Sequence, residues 1–160
     1  MTDNPFTALT TIAAPAILTN ACSVLALGTS NRIARVVDRT RVVISECAQL
    51  QRETVGYRSR TAQIERLGAR SNLLLNALRI IYAALGGFAA SALLAAVGGT
   101  AAFYDLTLIS QSAAAVALVV GLSAVCGLVG GCALMVAETR LALQSVRQQV
   151  EDAFAERPVP

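Results

Sequence analysis

The feature that most constrains this 160-residue chain is the separation of charged from apolar residues along the sequence. Residues 31–72 contain nine arginines and four acids, whereas residues 73–137 contain one arginine and one acid. A helix at the surface of a water-soluble domain needs a polar face along its length. Apolar stretches with so few charges are instead typical of a chain that crosses a bilayer.

The composition supports the same class. Charged residues make up 14% of the chain, against about 25% in soluble domains, and hydrophobic residues make up 55%. Three apolar stretches are candidates for membrane helices, at about residues 6–28, 78–97 and 113–137. No basic residue precedes the first stretch, so we expect a retained helix and not a cleaved signal peptide. Pro15 is tolerated inside a membrane helix.

The region after the first apolar stretch has the spacing of an amphipathic helix. Nothing between Gly28 and Val55 breaks a helix, so the first helix is expected to continue as one rod, with a turn at Gly56–Tyr57 and a second helix returning. A loop is expected from Gly98 to Ser112, and a short helix from Glu138. The predicted fold is all-α and integral to the membrane, with three transmembrane helices and a cytoplasmic helical hairpin between the first and second. The predicted segments are the N-terminal flank with the first membrane helix (1–30), the basic hairpin (31–72), the second and third membrane helices (73–137) and the tail (138–160).

The distribution of arginine predicts the topology. The N-terminal flank and the second loop carry no Lys or Arg, the hairpin carries nine arginines and the tail three. Because cytoplasmic flanks are enriched in basic residues, the N-terminus is expected outside and the hairpin and C-terminus in the cytoplasm. Anionic lipid headgroups are expected partners of the basic hairpin. Nucleic acid is not an expected partner, since the basic residues are not interleaved with aromatic ones.

A family resemblance rests on two stretches. The run N-R-I-A-R-V-V-D-R at residues 31–39 follows an apolar helix, and E-R-L-G-A-R at residues 65–70 precedes another. Together they resemble a bacterial family of small membrane proteins catalogued as domain of unknown function 2721. The resemblance extends over nearly the whole chain. It implies a three-helix protein of the bacterial inner membrane and no particular activity.

The residues needed for catalysis are scarce. The chain has no histidine, the commonest general base, and no phosphate-binding loop or nucleophile motif. We therefore expect no enzyme activity and no cofactor. The cysteines are Cys22, Cys47, Cys126 and Cys132. They lack CxxC spacing, so we expect small apolar residues and no metal site.

Polar residues on the first helix and its extension form a stripe that is either a packing seam or the lining of a pore in an oligomer. Its members are Thr19, Asn20, Ser23, Asn31 and Asp38. Beyond the membrane the line continues through Ser45 to Arg52 at a seven-residue spacing, which predicts a seam of constant orientation.

Small residues four apart predict close helix packing, in a ladder at positions 83, 87, 91, 95 and 99 and another at 123, 127 and 131. The packing residues expected from them are Gly87, Ser91, Gly127 and Gly131. Arg79 and Glu138 are expected to form an interfacial pair at the cytoplasmic boundary, with only a mild effect of Glu138→Gln.

Two functions remain open from the sequence. One is a non-enzymatic homo-oligomeric scaffold or regulator acting through its cytoplasmic hairpin. The other is an oligomeric ion channel or permeation protein lined by the polar stripe of the first helix.

Overall fold

Three long helices make up the part of the chain that the structure describes, residues 5–49 and 55–155 of a computed structural model. They are α1 (Pro5–Ala48), α2 (Val55–Phe103) and α3 (Thr107–Ala155). At 1.5 Å per residue each is about 65 to 75 Å long, more than the about 40 to 45 Å thickness of a bilayer with its headgroups. All three contain an apolar segment long enough to cross a membrane. The protein is therefore all-α and has the architecture of a multi-pass membrane protein.

The boundaries of the helices confirm one prediction and correct three. The first helix continues through Gly28 to Ala48 as one rod, as predicted. Gly56 and Tyr57 lie in the first turn of α2 and not in a turn between helices. The expected loop from Gly98 to Ser112 is almost entirely helical. The expected short helix from Glu138 is the last part of α3, and the terminal Pro158–Pro160 lies outside the described residues.

Only residues 104–106 separate α2 from α3. The amide of Leu106 donates to the Ala101 carbonyl at 3.0 Å, and that of Asp105 donates to the Ala102 carbonyl at 3.2 Å. This pair of hydrogen bonds is the Schellman C-cap, which places the residue after the cap in the left-handed region. That residue is Asp105, with φ of 55°.

The chain divides into two compact units. Residues 1–28 with 78–131 form what we call the apolar unit, and residues 29–77 with 132–160 the basic unit. Of the 18 charged residues in the described ranges 5–49 and 55–155, only Arg79 and Asp105 belong to the apolar unit. The segregation of charge along the sequence therefore becomes a segregation in space.

In the apolar unit, α2 and α3 pack antiparallel at very short range. A Cβ placed on Gly87 would lie 2.9 Å from the Ala124 Cβ, and one on Gly98 would lie 3.3 Å from the Ala113 Cβ. The Ser91 hydroxyl donates to the Ala117 carbonyl at 2.9 Å. Large apolar side chains such as Leu93, Leu118 and Val129 are exposed, as expected for helices whose outer faces meet lipid.

In the basic unit, α1 and α2 pack antiparallel around a small apolar core. Val36, Val43, Leu67 and Leu74 are buried together, and Ile33 and Ile64 pack against them. Branched apolar side chains at intervals of three and seven residues lie on one face of each helix. The other faces carry the arginines.

The buried residues recur every seven positions along each helix. They are Cys22, Thr29, Val36 and Val43 in α1; Leu67, Leu74, Ile81 and Phe88 in α2; and Ala117, Ala124, Gly131 and Glu138 in α3. A seven-residue repeat of buried positions is the pattern of helices in left-handed coiled coils. Glu138 occupies a position in this repeat that otherwise holds small or apolar residues.

Candidate functional site

Glu138 is the one charged residue that is buried among those whose side chains the structure describes, with 2% of its surface exposed. It follows the apolar stretch of α3 directly. A buried carboxylate without partners would carry a large desolvation penalty. Whether the protein can bury this charge therefore depends on the hydrogen-bond partners of the carboxylate.

Two arginines from two other helices bind this carboxylate, all within the basic unit. Arg70 of α2 donates from Nε at 2.9 Å and from Nη2 at 2.7 Å, both to Oε1. Arg32 of α1 donates from Nη1 to Oε2 at 3.4 Å and to the Thr139 hydroxyl at 3.1 Å. Both carboxylate oxygens accept hydrogen bonds, so a single glutamate connects α1, α2 and α3.

The two arginines differ in how firmly they are held. The Arg70 side chain is 24% exposed and the Arg32 side chain 46% exposed. The short double contact makes Arg70 the principal partner, since charge-assisted hydrogen bonds of about 2.7 to 2.9 Å are the strong ones. Arg32 makes the longer contact and keeps nearly half of its surface accessible. The cluster therefore holds a buried negative charge beneath an exposed positive surface.

A second ion pair connects α1 and α2 in the basic unit. Arg60 Nη1 lies 2.7 Å from Glu46 Oε2, although this approach lacks the geometry of a hydrogen bond. Both side chains are more than a third exposed. An exposed pair contributes about 0 to 1 kcal/mol, so the Glu138 cluster is the stronger polar connection.

A groove opens beside Glu138 with a volume of about 350 Å³. Its polar lining consists of Arg32, Arg35, Arg39, Arg70, Glu138 and Thr139. Four guanidinium groups thus face one carboxylate, which gives the groove a strong positive potential. Among the described residues no group of metal-ligating side chains is present.

The predicted pair of Arg79 and Glu138 is not among the ion pairs of the described residues. The structure places Arg32 and Arg70 on the two oxygens of Glu138, while Arg79 is exposed and is not among the partners of Glu138. Arg79 lies nine residues beyond Arg70 in α2, about 13 Å along the helix. The carboxylate binds the arginines at the edges of the apolar stretches, whereas Arg79 lies inside the second stretch.

The predicted polar stripe lies on the outer surface of α1. Asn20, Ser23, Asn31 and Asp38 are exposed, and Thr19 is half-buried. The Ser23 hydroxyl donates to the Thr19 carbonyl at 3.0 Å, and the Thr19 hydroxyl to the Pro15 carbonyl at 2.8 Å. The spacing of Asn31, Asp38 and Ser45 therefore follows the face opposite the buried repeat. A seam packed against helices of the same subunit is not what the structure shows.

The small residues divide between contact and open surface. Gly87 and Ser91 lie against α3, and a Cβ placed on Gly127 would lie 3.7 Å from the Ala84 Cβ; Gly131 is buried. At the ends of the first ladder, Ala83 is exposed and Gly99 has open space around it. Each four-residue step rotates by about 40° around the helix, so five rungs cannot stay on one face.

A signal in the sequence could have located the Glu138 cluster. Arg32 is the first charged residue after the first apolar stretch, Arg70 the last before the second, and Glu138 the first after the third. Residues at the same edge of neighbouring spans lie at similar depth. Matching the edges of the three spans therefore predicts that these three residues meet.

Comparison with known proteins gives one match. The family model described as a protein of unknown function (DUF2721) matches residues 12–148, which covers all of α2, most of α1 and α3, and every residue of the Glu138 cluster. No curated protein and no solved structure matches the chain. The chain therefore belongs to the DUF2721 family, as its two arginine-rich stretches predicted.

Proposed function

We propose that this protein is a non-enzymatic, homo-oligomeric scaffold or regulator of the bacterial inner membrane that acts through its basic unit. The observation that carries the proposal is the Glu138 cluster. One buried carboxylate holds three helices together, and the arginines around it remain accessible from outside. A rigid helical platform with an exposed cationic surface is suited to binding and positioning partners.

The orientation in this proposal places the basic unit and the C-terminus in the cytoplasm, with the N-terminus outside. Among the described residues, the basic unit contains ten of the eleven arginines, and the other unit contains only Arg79. This asymmetry supports the orientation because basic flanks are retained on the cytoplasmic side. Anionic lipid headgroups are the natural partners of such a surface. Nucleic acid, a cofactor and a catalysed reaction have no part in the proposal.

Self-association is supported by the outer face of α1. Asn20 and Ser23 are exposed within a segment whose other exposed residues include Ile17 and Val24. A polar side chain at membrane depth normally finds a partner in protein or water. A second copy of the chain would supply such a partner.

The exposed position of Asn20 also favours the alternative function, an oligomeric channel or permeation protein. If several copies turned this face to a common axis, Asn20 and Ser23 would line a path across the membrane. The two functions differ in whether the axis of the oligomer contains a continuous path of water. They share the oligomer and the basic unit.

Photo-crosslinking in cells and flux in vesicles test the proposal together. A photoreactive residue at Asp38, on the outer face of the basic unit, should give discrete adducts with other proteins, and one at Leu118, on the apolar surface, should not. Proteoliposomes of purified protein should show no ion flux. Flux that Asn20→Leu abolishes while the oligomer persists would establish the channel instead. Adducts at neither position, with a monomeric mass in detergent, would refute the scaffold.

A further inference from the structure

The groove beside Glu138 contains more arginine side chains than carboxylates that could neutralise them. Arg32 and Arg70 are paired with Glu138. Arg35 and Arg39 also line the groove, are exposed, and form no ion pair with any carboxylate in the described part of the chain. Two arginines thus face a concave surface without a counter-charge. Such a surface attracts an anion.

The arrangement of the donors fits a phosphate group. Arg32, Arg35 and Arg39 are spaced i, i+3 and i+7 in α1, which places them on one face of the helix. Their guanidinium groups present pairs of N–H donors that match two oxygens of a phosphate. The Thr139 hydroxyl accepts a hydrogen bond from Arg32 Nη1 at 3.1 Å and donates its own proton to the Met135 carbonyl at 2.9 Å, so it orients Arg32 and leaves phosphate binding to the arginines. The site is therefore oriented before a ligand arrives.

Glu138 acts as a positioning residue for this site. It accepts one hydrogen bond from Arg32 and two from Arg70. A single buried carboxylate cannot neutralise the four arginines of the groove, so three positive charges remain in excess. The carboxylate restricts the arginines without cancelling their attraction for an anion.

The depth of the groove points to a lipid as the source of the phosphate. From Thr107 to Ala137, α3 has 31 consecutive uncharged residues, which span about 46 Å of helix. This is close to the about 40 to 45 Å thickness of a bilayer with its headgroups. Glu138 and Thr139 follow immediately, at the level where the headgroup phosphates end. Arginine side chains are long enough to reach back to them.

We propose that the guanidinium groups of Arg32, Arg35 and Arg39 in this groove bind the phosphate of an anionic phospholipid headgroup. The site deepens the proposed function and rests on it, because it names the lipid class that the basic unit recognises. The ligand chemistry is a phosphodiester with a net negative charge. A zwitterionic phospholipid has the same phosphate but adds a cation, which the four guanidinium groups of the groove repel.

Native mass spectrometry of the full chain in a neutral detergent tests this site. Phosphatidylglycerol and phosphatidylcholine of equal chain length are titrated, and bound lipid is counted on each protein mass. The test variant is Arg35→Gln with Arg39→Gln. The matched control is Arg41→Gln with Arg58→Gln, which removes two exposed arginines of the basic unit that do not line the groove. Glycerol phosphate, a headgroup without acyl chains, is the soluble probe.

Wild-type protein should prefer phosphatidylglycerol over phosphatidylcholine. Each arginine near an anionic headgroup contributes about fivefold in affinity, so the test variant should lose about 30-fold, and the control should stay within about twofold. Equal losses in both variants would overturn the site in favour of a diffuse basic surface. Glycerol phosphate binding as tightly as phosphatidylglycerol would overturn the lipid assignment. The protein mass in the same spectra reports the oligomer, so failure of the scaffold and failure of the lipid site are distinguished.

Discussion

Replacing Glu138 with glutamine should loosen the whole basic unit, because the substitution keeps the shape of the side chain and removes its charge. Breaking a buried ion pair costs about 3 to 5 kcal/mol. Two features reduce this figure here. Arg70 and Arg32 are 24% and 46% exposed, so both can turn towards water, and the glutamine oxygen can still accept one hydrogen bond from Arg70. We therefore expect a loss of about 2 kcal/mol, more than the mild effect that a solvent-exposed pair would give.

Hydrogen exchange of the purified full chain measures this loss locally. A loss of about 2 kcal/mol raises the population of open states about 30-fold, and the amides of α1 and α2 in the basic unit should exchange faster by that factor. The matched control is Glu65→Gln, which removes the same charge from an exposed position that forms no ion pair in the described part of the chain. It should exchange as the wild type does.

A double-mutant cycle separates pairing from a general loss of charge. Arg70→Gln and Glu138→Gln should each destabilise the basic unit, and their combination should cost clearly less than the sum of the two. Additive effects would show that the two side chains do not stabilise each other. Exchange within twofold of the wild type in Glu138→Gln would refute the buried cluster itself.

Three further substitutions test the apolar unit and its turn. Gly87→Ala forces its Cβ against Ala124 and should lower the melting temperature in detergent, whereas the neighbouring Gly86→Ala has open space and should be neutral or stabilising; equal effects would contradict the close packing. Asp105→Gly places glycine at a left-handed position and should stabilise by about 0.5 to 1 kcal/mol in the same melt; a lower melting temperature would argue against this turn. Asn20→Leu removes an exposed amide and should weaken the oligomer by mass photometry, unless that face contacts only lipid.

The separation of charge along the sequence was sufficient to predict three helices and the continuation of the first beyond its apolar stretch. Turn positions were less predictable because glycine has two uses. Gly98 resembles the start of a loop by composition, yet it is buried in α2 and lies against Ala113 of α3. In a tightly packed helix pair a glycine is required for the approach of the backbones. A single sequence does not distinguish that role from a turn.

The candidate site was missed for a related reason. The seven-residue spacing of Asn31, Asp38 and Ser45 was correctly recognised as a constant face, but a period does not say which face is buried. Thr29, Val36 and Val43 have the same period and form the buried line. Branched apolar side chains at these positions were the available signal. Following the same repeat in α3 would have led to Glu138.

The position of a charge in an otherwise small and apolar repeat has a consequence for alignment. Ala, Gly, Ser and Thr at buried positions pack closely but resemble one another, so α3 could slide by seven residues along α1 and α2 with little loss of contact. Such a shift would place Ser145 or Gly131 at the level of Arg32 and Arg70, and would leave Glu138 without its partners. By the reasoning given for Glu138→Gln, breaking the pair costs about 2 kcal/mol, which favours the observed register about 30-fold. A buried polar group that selects one alignment at some cost in stability is known from coiled coils. The same cluster that aligns the three helices also orients Arg32 at the groove, so the register of the basic unit and its cationic surface depend on one carboxylate.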